Sequence, residues 1–150
     1  MSHPRPRPTR RTWLLAISYG LFAYGIHKIG VILGYYRGFF WFQLLTHFLS
    51  ASALALLLLL VGRTLSLSPS SLVVFVLAGS AVGAVGWEVV EYLGVVPWLI
   101  WWGPTDSLLD LTNDLIGIVV VLALHRVRGR TFRPTDSSST PTAPSVTPGD

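Results

Sequence analysis

Five of the seven carboxylates in this chain of 150 residues lie within one stretch, residues 88–114. They are Glu88, Glu91, Asp106, Asp110 and Asp114. Two of the four histidines, His27 and His47, lie upstream in apolar surroundings. Carboxylates combined with imidazole bind Mg²⁺, Mn²⁺ or Zn²⁺, and the same groups serve as general bases and proton relays. The concentration of acids therefore predicts a cation site or proton chemistry.

The spacing of these acids places them on helix faces. Asp106, Asp110 and Asp114 recur at intervals of four residues, and Glu88 and Glu91 are three residues apart. Residues separated by three or four positions lie on one face of an α-helix. Each set therefore presents its carboxylates in a single direction. A face of carboxylates is expected to point away from lipid and into a bundle of helices.

We therefore predict a metal site formed by His47, Glu88, Asp110 and Asp114, with Mg²⁺, Mn²⁺ or Zn²⁺ as the cofactor. Glu88 and Asp110 are the candidate catalytic groups, since one carboxylate beside a bound cation could act as a base. The chain has no cysteine, which excludes thiolate ligands and disulfides. It carries neither the HExxH motif of soluble metal sites nor a recognisable Ser/His/Asp or Cys/His set for covalent catalysis.

Further polar residues are predicted to support this site: His27, Lys28, Glu91, Asp106 and Asn113. Each also has a simpler interpretation. Lys28 could extend its ammonium group to the membrane surface, Asp106 is placed as the N-cap of a helix, and Glu91 would be hydrated at the interface. Asn113 and His47 could serve only to connect helices by hydrogen bonds.

The composition indicates which elements must position these groups. Hydrophobic residues make up 51% of the chain and charged residues 12%, and the mean hydropathy is +0.58. Crossing the hydrocarbon takes roughly 20 apolar residues in a helix. Four stretches reach that length, at about 12–33, 39–61, 71–93 and 106–124. We predict an all-α fold, an integral membrane bundle of four transmembrane helices, with a short interfacial segment at 95–102 between helices 3 and 4.

All four predicted spans bring polar groups to the same depth. At a rise of about 1.5 Å per residue, Glu88 lies about 25 Å from the cytoplasmic start of the third span. Asp110 lies about 6 Å and Asp114 about 12 Å inward from the outer start of the fourth, and His47 lies about 12 Å inward along the second. His27 and Lys28 lie in the outer third of the first span. This agreement predicts a single polar site in the outer half of the bundle.

Basic residues predict the orientation. Arginines flank the spans at both chain ends, and the connection at 94–105 has no basic residue. Under the positive-inside rule both termini are cytoplasmic. Arg37, in the first outer loop, is the one basic residue that departs from the rule. We predict that the protein lies in the cell membrane. Residues 1–11 are then a basic cytoplasmic N-terminus, 12–124 the transmembrane domain, and 125–150 a basic and then disordered cytoplasmic tail.

The net charge of +4 does not indicate nucleic-acid binding, because the basic excess lies at the two ends of the chain. The predicted partners are membrane lipids, and a homo-oligomer is also consistent with a bundle this small. The first span has an alternative interpretation as a cleaved signal peptide, with a small-x-small pattern at 23–25.

Three sequence blocks resemble a known family: THF at 46–48, WEVVEY at 87–92 and TDSLLDLTNDLIG at 105–117. This combination resembles the YjdF/VanZ-like group of small multi-pass membrane proteins. In that group a His opens the second span, W-E-x-x-E ends a middle span, and D-x-x-x-D-x-x-N-x-x-x-G begins the last. The resemblance covers residues 40–120 and implies these motif positions: His47, Glu88, Glu91, Asp106, Asp110, Asn113 and Gly117. It implies the architecture; VanZ-like members are associated with glycopeptide-antibiotic tolerance.

Three functions are consistent with the sequence. The first is a site that binds or converts an amphiphilic or phosphate-bearing ligand through a divalent cation. The second is a non-catalytic membrane module whose polar cluster fixes helix packing or binds a partner. The third is ion or proton transport, for which buried acids and histidine are typical, although no ionisable group continues through the inner half of spans two to four.

Overall fold

The predicted all-α fold is confirmed. The computed structural model describes residues 7–94 and 103–131, apart from the side chains of residue 37 and residues 129–131, and every regular element in these ranges is an α-helix. The helices are α1 (Arg10–Leu33), α2 (Tyr35–Gly38), α3 (Phe40–Thr64), α4 (Pro69–Tyr92) and α5 (Pro104–Thr131). The predicted interfacial segment at 95–102 and the predicted tail beyond residue 131 lie outside the described residues.

Four of the helices are long and apolar enough to cross a membrane. α1, α3, α4 and α5 contain 24, 25, 24 and 28 residues, and about 36 Å of helix exceeds the roughly 30 Å of bilayer hydrocarbon. Their outward side chains are large and apolar: Ile32 is 79% exposed, Val82 74% and Leu108 65%. Such a surface suits lipid rather than water. The chain therefore has the architecture of a multi-pass membrane protein.

Local signals explain where two of the helices begin and how the first one ends. The Thr9 hydroxyl accepts a hydrogen bond from the backbone N–H of Thr12 at the start of α1. Ser68 accepts from Ser71 in the same way at the start of α4. Gly34 ends α1 with a φ of 68°, a left-handed conformation that favours glycine. The turn reverses the chain, so that α2 and the start of α3 lie beside the end of α1.

α3 is the central helix of the bundle. It packs against α1, α4 and α5, whereas the backbone of α1 approaches neither α4 nor α5 within the described residues, and α1 meets α4 through the rings of His27 and Trp87. α3 and α5 run in parallel, because Gln43 meets Asp106 near the start of both helices and Ser52 lies against Gly117 further along. α1 and α4 run in the opposite direction. We call the end of the bundle at which α1 and α4 finish and α3 and α5 begin the upper end.

The lower half of the bundle is held together by an apolar core. Its buried side chains are Ala51, Ala55, Leu59, Leu72, Val76 and Ile118. The alanines on α3 allow neighbouring helices to approach closely, which is the usual way in which helices pack in lipid. The polar groups are thereby left to the upper end, where the candidate site lies.

Gly117 is expected to be essential for the contact between α3 and α5. A Cβ atom at this position would stand 2.7 Å from the Phe48 carbonyl oxygen and 3.2 Å from the backbone nitrogen of Ser52. Backbone atoms cannot rotate away, so Gly117→Ala should lower the free energy of unfolding by about 1–3 kcal/mol, measured by thermal unfolding in detergent. Gly86→Ala is the control, because nothing lies within 4 Å of its Cβ position. Equal losses in both variants would contradict this packing.

Candidate metal centre

Four buried side chains from three helices converge at the upper end of the bundle. His47 comes from α3, Glu88 and Glu91 from the end of α4, and Asp110 from the start of α5. Each offers one ligand atom, and these atoms all lie within 4.8 Å of one another. Two atoms bound to one cation at about 2.0–2.2 Å lie at most about 4.4 Å apart, so small side-chain rotations would bring all four groups onto a single cation. We call these four residues the metal cluster.

The carboxylates of the metal cluster contain oxygen atoms that have no protein partner. Both side-chain oxygens of Glu88 and Oδ1 of Asp110 are buried and accept no hydrogen bond. Glu88 is 8% exposed and Asp110 is fully buried. Buried carboxylate oxygens are almost always paired, because an unpaired buried charge costs several kcal/mol. These three oxygens therefore lack the counter-charge that their burial requires.

Gln43 orients the Asp110 carboxylate from one helix turn above His47. Its side-chain amide donates to Oδ2 of Asp110 at 2.6 Å and to Oδ2 of Asp106 at 3.1 Å. These bonds use Oδ2 of Asp110 and leave its Oδ1 without a hydrogen bond. Sequence reasoning missed Gln43, although a buried amide four residues before His47 on an apolar span was a usable signal.

Asp114 orients the imidazole of His47 in a comparable way. Nδ1 of His47 lies 3.3 Å from Oδ1 of Asp114, and Nε2 lies 3.5 Å from Oδ2 of Asp110. In neutral His47, donation from Nδ1–H to Asp114 leaves the lone pair of Nε2 directed at the cluster. Metal-binding histidines usually donate their second ring nitrogen to a carboxylate in this manner.

The structure places three predicted residues differently from one another. Asp114, predicted as a ligand, has its Oδ1 3.3 Å from Nδ1 of His47 and lies outside the metal cluster. Glu91, expected to be hydrated at the interface, is 6% exposed and belongs to the cluster, because α4 continues to Tyr92 and keeps Glu91 on the same face as Glu88. Asp106, expected as the N-cap, is the third residue of α5, and its carboxylate accepts from Gln43.

The remaining supporting residues lie at the edge of the site. The side-chain amide of Asn113 donates to the carbonyl of Leu109 in its own helix at 2.9 Å, so this bond does not connect helices as was considered from the sequence. The ammonium nitrogen of Lys28 lies 5.4 Å from the centre of the Tyr24 ring. Attraction between an ammonium group and an aromatic face holds Lys28 beside the site.

A hydrogen-bonded chain joins α1, α2 and α3 next to the metal cluster. The Tyr36 hydroxyl donates to Thr46 at 3.1 Å and lies 2.7 Å from Nδ1 of His27, while Thr46 donates to the Gln43 carbonyl. Because the Tyr36 proton is used on Thr46, Nδ1 of His27 must be the donor in their contact. Burial raises the pKa of Tyr36 to about 12, so the phenol stays neutral at physiological pH. The predicted supporting residue His27 is thus fixed in one tautomer.

A cavity of about 440 Å³ adjoins the cluster between α1, α3 and α4. Its upper wall includes His27, Lys28, Tyr36, His47 and Glu91, and most residues of its lower wall are small. The size falls within the roughly 300–1,000 Å³ of small-molecule sites. The cluster therefore has a space on one side in which a ligand could reach a bound cation.

Comparison with protein-family models, curated proteins and solved structures found no match. The interpretation of the site accordingly depends on its own geometry. That geometry comprises four convergent ligand groups, two outer groups that orient them, and an adjoining cavity.

Proposed function

We propose that this multi-pass membrane protein binds a divalent cation through His47, Glu88, Glu91 and Asp110, and that the cation engages the polar head of an amphiphilic or phosphate-bearing ligand. The observation that carries the proposal is the set of buried, unpartnered oxygens on Glu88 and Asp110 at the convergence of four ligand groups. A cation is the simplest group that satisfies all of them at once.

The charge balance supports a cation. The five acids of residues 88–114 carry a formal −5 against +2 from Lys28 and Arg37, which leaves −3 when the histidines are neutral. One divalent cation reduces this imbalance to −1, and uncompensated charges within a membrane cost at least about 2.5–3.5 kcal/mol each. Protonation of the acids would also remove the excess negative charge, and in that case the protein would take up no metal.

The donor set favours Zn²⁺ or Mn²⁺ over Mg²⁺. One imidazole nitrogen combined with carboxylate oxygens suits both transition metals. Mg²⁺ retains several water molecules and is usually held by one or two carboxylates together with substrate phosphate. A bound Zn²⁺ or Mn²⁺ would polarise a phosphate or lower the pKa of a bound water molecule. The carboxylate of the metal cluster that binds the cation most weakly could then act as a base.

The upper end of the bundle is proposed to face the outside of the cell membrane, with both termini in the cytoplasm. The absence of basic residues at 94–105 and the arginines at the two chain ends support this orientation. The metal cluster then lies in the outer half of the membrane.

Metal uptake tests the proposal. Chelator-treated wild-type protein in detergent should bind about one equivalent of Zn²⁺ or Mn²⁺. Binding should stabilise the fold by about 2.7 kcal/mol at a metal concentration 100 times the Kd. Asp110→Asn should lose both effects. Elemental analysis and thermal unfolding measure them.

Thr112→Val is the matched control, because Thr112 lies on the same helix, is exposed, and donates to the Leu108 carbonyl rather than to the cluster. It should bind metal as wild type does. Failure of the wild type to take up metal, or equal uptake by Asp110→Asn, would contradict the proposal.

The cross-helix contacts favour one second candidate, a non-catalytic module in which the cluster only fixes helix packing. Gln43 and His47 of α3 contact Asp106, Asp110 and Asp114 of α5 directly. This candidate predicts that neutral substitutions at Glu88 and Asp110 together leave stability unchanged or improved whether or not metal is present. Proton or ion transport, by contrast, gains no support from the apolar lower half.

A further inference from the structure

The cavity beside the metal cluster opens sideways through the wall of the bundle. The backbones of α1 and α4 stay apart in the described part of the chain, and an edge contact between the His27 and Trp87 rings, with centroids 5.8 Å apart, bridges them at the upper end. Below this contact a gap between the two helices bares one face of α3. Ser50 of α3 lines the cavity and is exposed, although α3 is the central helix. Tyr24 and Trp87 line the same cavity from α1 and α4 and are 58% and 37% exposed. The opening therefore faces the lipid that surrounds the helices.

The walls of the cavity change character with depth. Below the cluster most of the lining residues are small, and Tyr24 and Leu54 are larger; the small ones are Gly20, Ala23, Ser50, Ala51, Ser80, Gly83 and Ala84. On α4 the lining runs from Glu91 down to Ser80, a distance of about 16 Å along the helix. A narrow slot of this length that opens to lipid matches an extended alkyl chain better than a compact polar solute.

The upper part of the cavity is suited to an anion. Lys28 contributes an ammonium group to this part of the lining, whereas the hydroxyl protons of Tyr36 and Thr46 are already donated within the protein. The carboxylates nearby are already engaged, since Glu91 belongs to the metal cluster and Asp114 contacts His47. A bound cation together with an ammonium group is the combination that recognises phosphate.

We infer that the cavity binds one chain of a phosphate-bearing lipid, which enters from the bilayer between α1 and α4 and places its phosphate between the cation and Lys28. The inference rests on the proposed cation site for the head group, whereas the slot for the chain is independent of it. The ligand is therefore a lipid drawn from the membrane and not a phosphate ester drawn from water.

Gly20→Leu is the variant that tests whether a lipid chain occupies the slot. Gly20 lines the slot and has no heavy atom within 4 Å of its Cβ position, so a larger side chain begins in open space at this position. Gly25→Leu is the matched control, because Gly25 lies on the same helix, is equally unobstructed, and is not part of the lining.

The experiment uses the full chain, loaded with Zn²⁺ and inserted in phosphatidylcholine nanodiscs. Phosphatidic acid brominated in its acyl chain is added to quench tryptophan fluorescence. The part of the quenching that is lost in Trp87→Phe is the part that comes from the cavity. Wild type and Gly25→Leu should reach half-maximal quenching of Trp87 at a concentration at least tenfold lower than Gly20→Leu. Brominated phosphatidylcholine should show no such difference, and glycerol phosphate in the buffer should not reverse the quenching.

Equal quenching in the two glycine variants would overturn the inference, as would equal quenching by the two lipids or displacement by glycerol phosphate. Metal content separates this result from the proposed function. Gly20→Leu should retain the metal of the wild type, which also shows that it is folded. A protein that binds no metal but still shows Gly20-dependent quenching by phosphatidic acid would keep the lipid slot and overturn the cation centre.

Discussion

Replacing Glu88 by Gln is expected to lower the affinity for the divalent cation by roughly 100- to 1,000-fold. Closed four-ligand sites bind Zn²⁺ with about 10–16 kcal/mol, so one ligand contributes about 2.5–4 kcal/mol. Glutamine keeps the shape of Glu88 and removes its charge. Because the position is buried, no water molecule is available to take the place of the lost carboxylate ligand. Titration of the metal-free protein with Zn²⁺, followed by calorimetry, measures the change.

The same substitution should raise the stability of the metal-free protein. Without a cation, both oxygens of Glu88 are buried and have no partner, and removing an uncompensated buried charge should gain about 1–2 kcal/mol. Glu88→Gln should thus unfold at a higher temperature than wild type in chelator and at a lower one in excess Zn²⁺. A module that uses Glu88 only for helix packing would give the same order of stability in both buffers.

Asp114→Asn is expected to weaken metal binding by about 10- to 100-fold, although Asp114 is outside the metal cluster. The carboxylate accepts the Nδ1 proton of His47 and so keeps the Nε2 lone pair directed at the cluster. An asparagine can present its amide N–H to Nδ1 instead, which favours the tautomer with a proton on Nε2. The imidazole would then have to change tautomer before it could bind a cation.

Calorimetric titration of Asp114→Asn with Zn²⁺ measures this effect, and Asp114→Glu provides a partial rescue because it restores the acceptor. Asn113→Ala is the control on the adjacent position, since Asn113 donates to its own helix. Wild-type affinity in Asp114→Asn would show that His47 does not bind the cation through Nε2.

The sequence was sufficient to predict the fold because lipid imposes simple requirements. A helix must be about 20 apolar residues long, and the four predicted spans coincide with α1, α3, α4 and α5. The ends differ by a few residues. α5 runs on to Thr131 because the basic residues after 124 also favour a helix, although they have no place in the hydrocarbon.

The site could be predicted in part. That His47, Glu88 and Asp110 lie at one level of the bundle followed from helix rise alone, because each span fixes the level of its residues. That Glu91 rather than Asp114 belongs to the metal cluster could not be predicted, since it depends on how far each helix is rotated about its axis. Gln43 illustrates the same limit, because only the packing of α3 on α5 brings its amide to Asp110.

The resemblance to the YjdF/VanZ-like group stays a prediction. Its three sequence blocks lie at the start of α3, the end of α4 and the start of α5, which are the segments that form the metal cluster. The cluster offers a physical reason for such a pattern, because each block supplies at least one ligand group or a group that orients one. If the resemblance is correct, the proposed cation site is a property of that group as well.

Anomalous diffraction from crystals of the full chain tests the cation site most directly. Crystals grown with Zn²⁺ should show one anomalous peak at the zinc absorption edge, within about 2.0–2.2 Å of ligand atoms of His47, Glu88, Glu91 and Asp110. The peak should disappear in Asp110→Asn and persist in Thr112→Val. Electron density that shows these four side chains in mutual contact, with no anomalous peak among them at saturating Zn²⁺, would contradict the account.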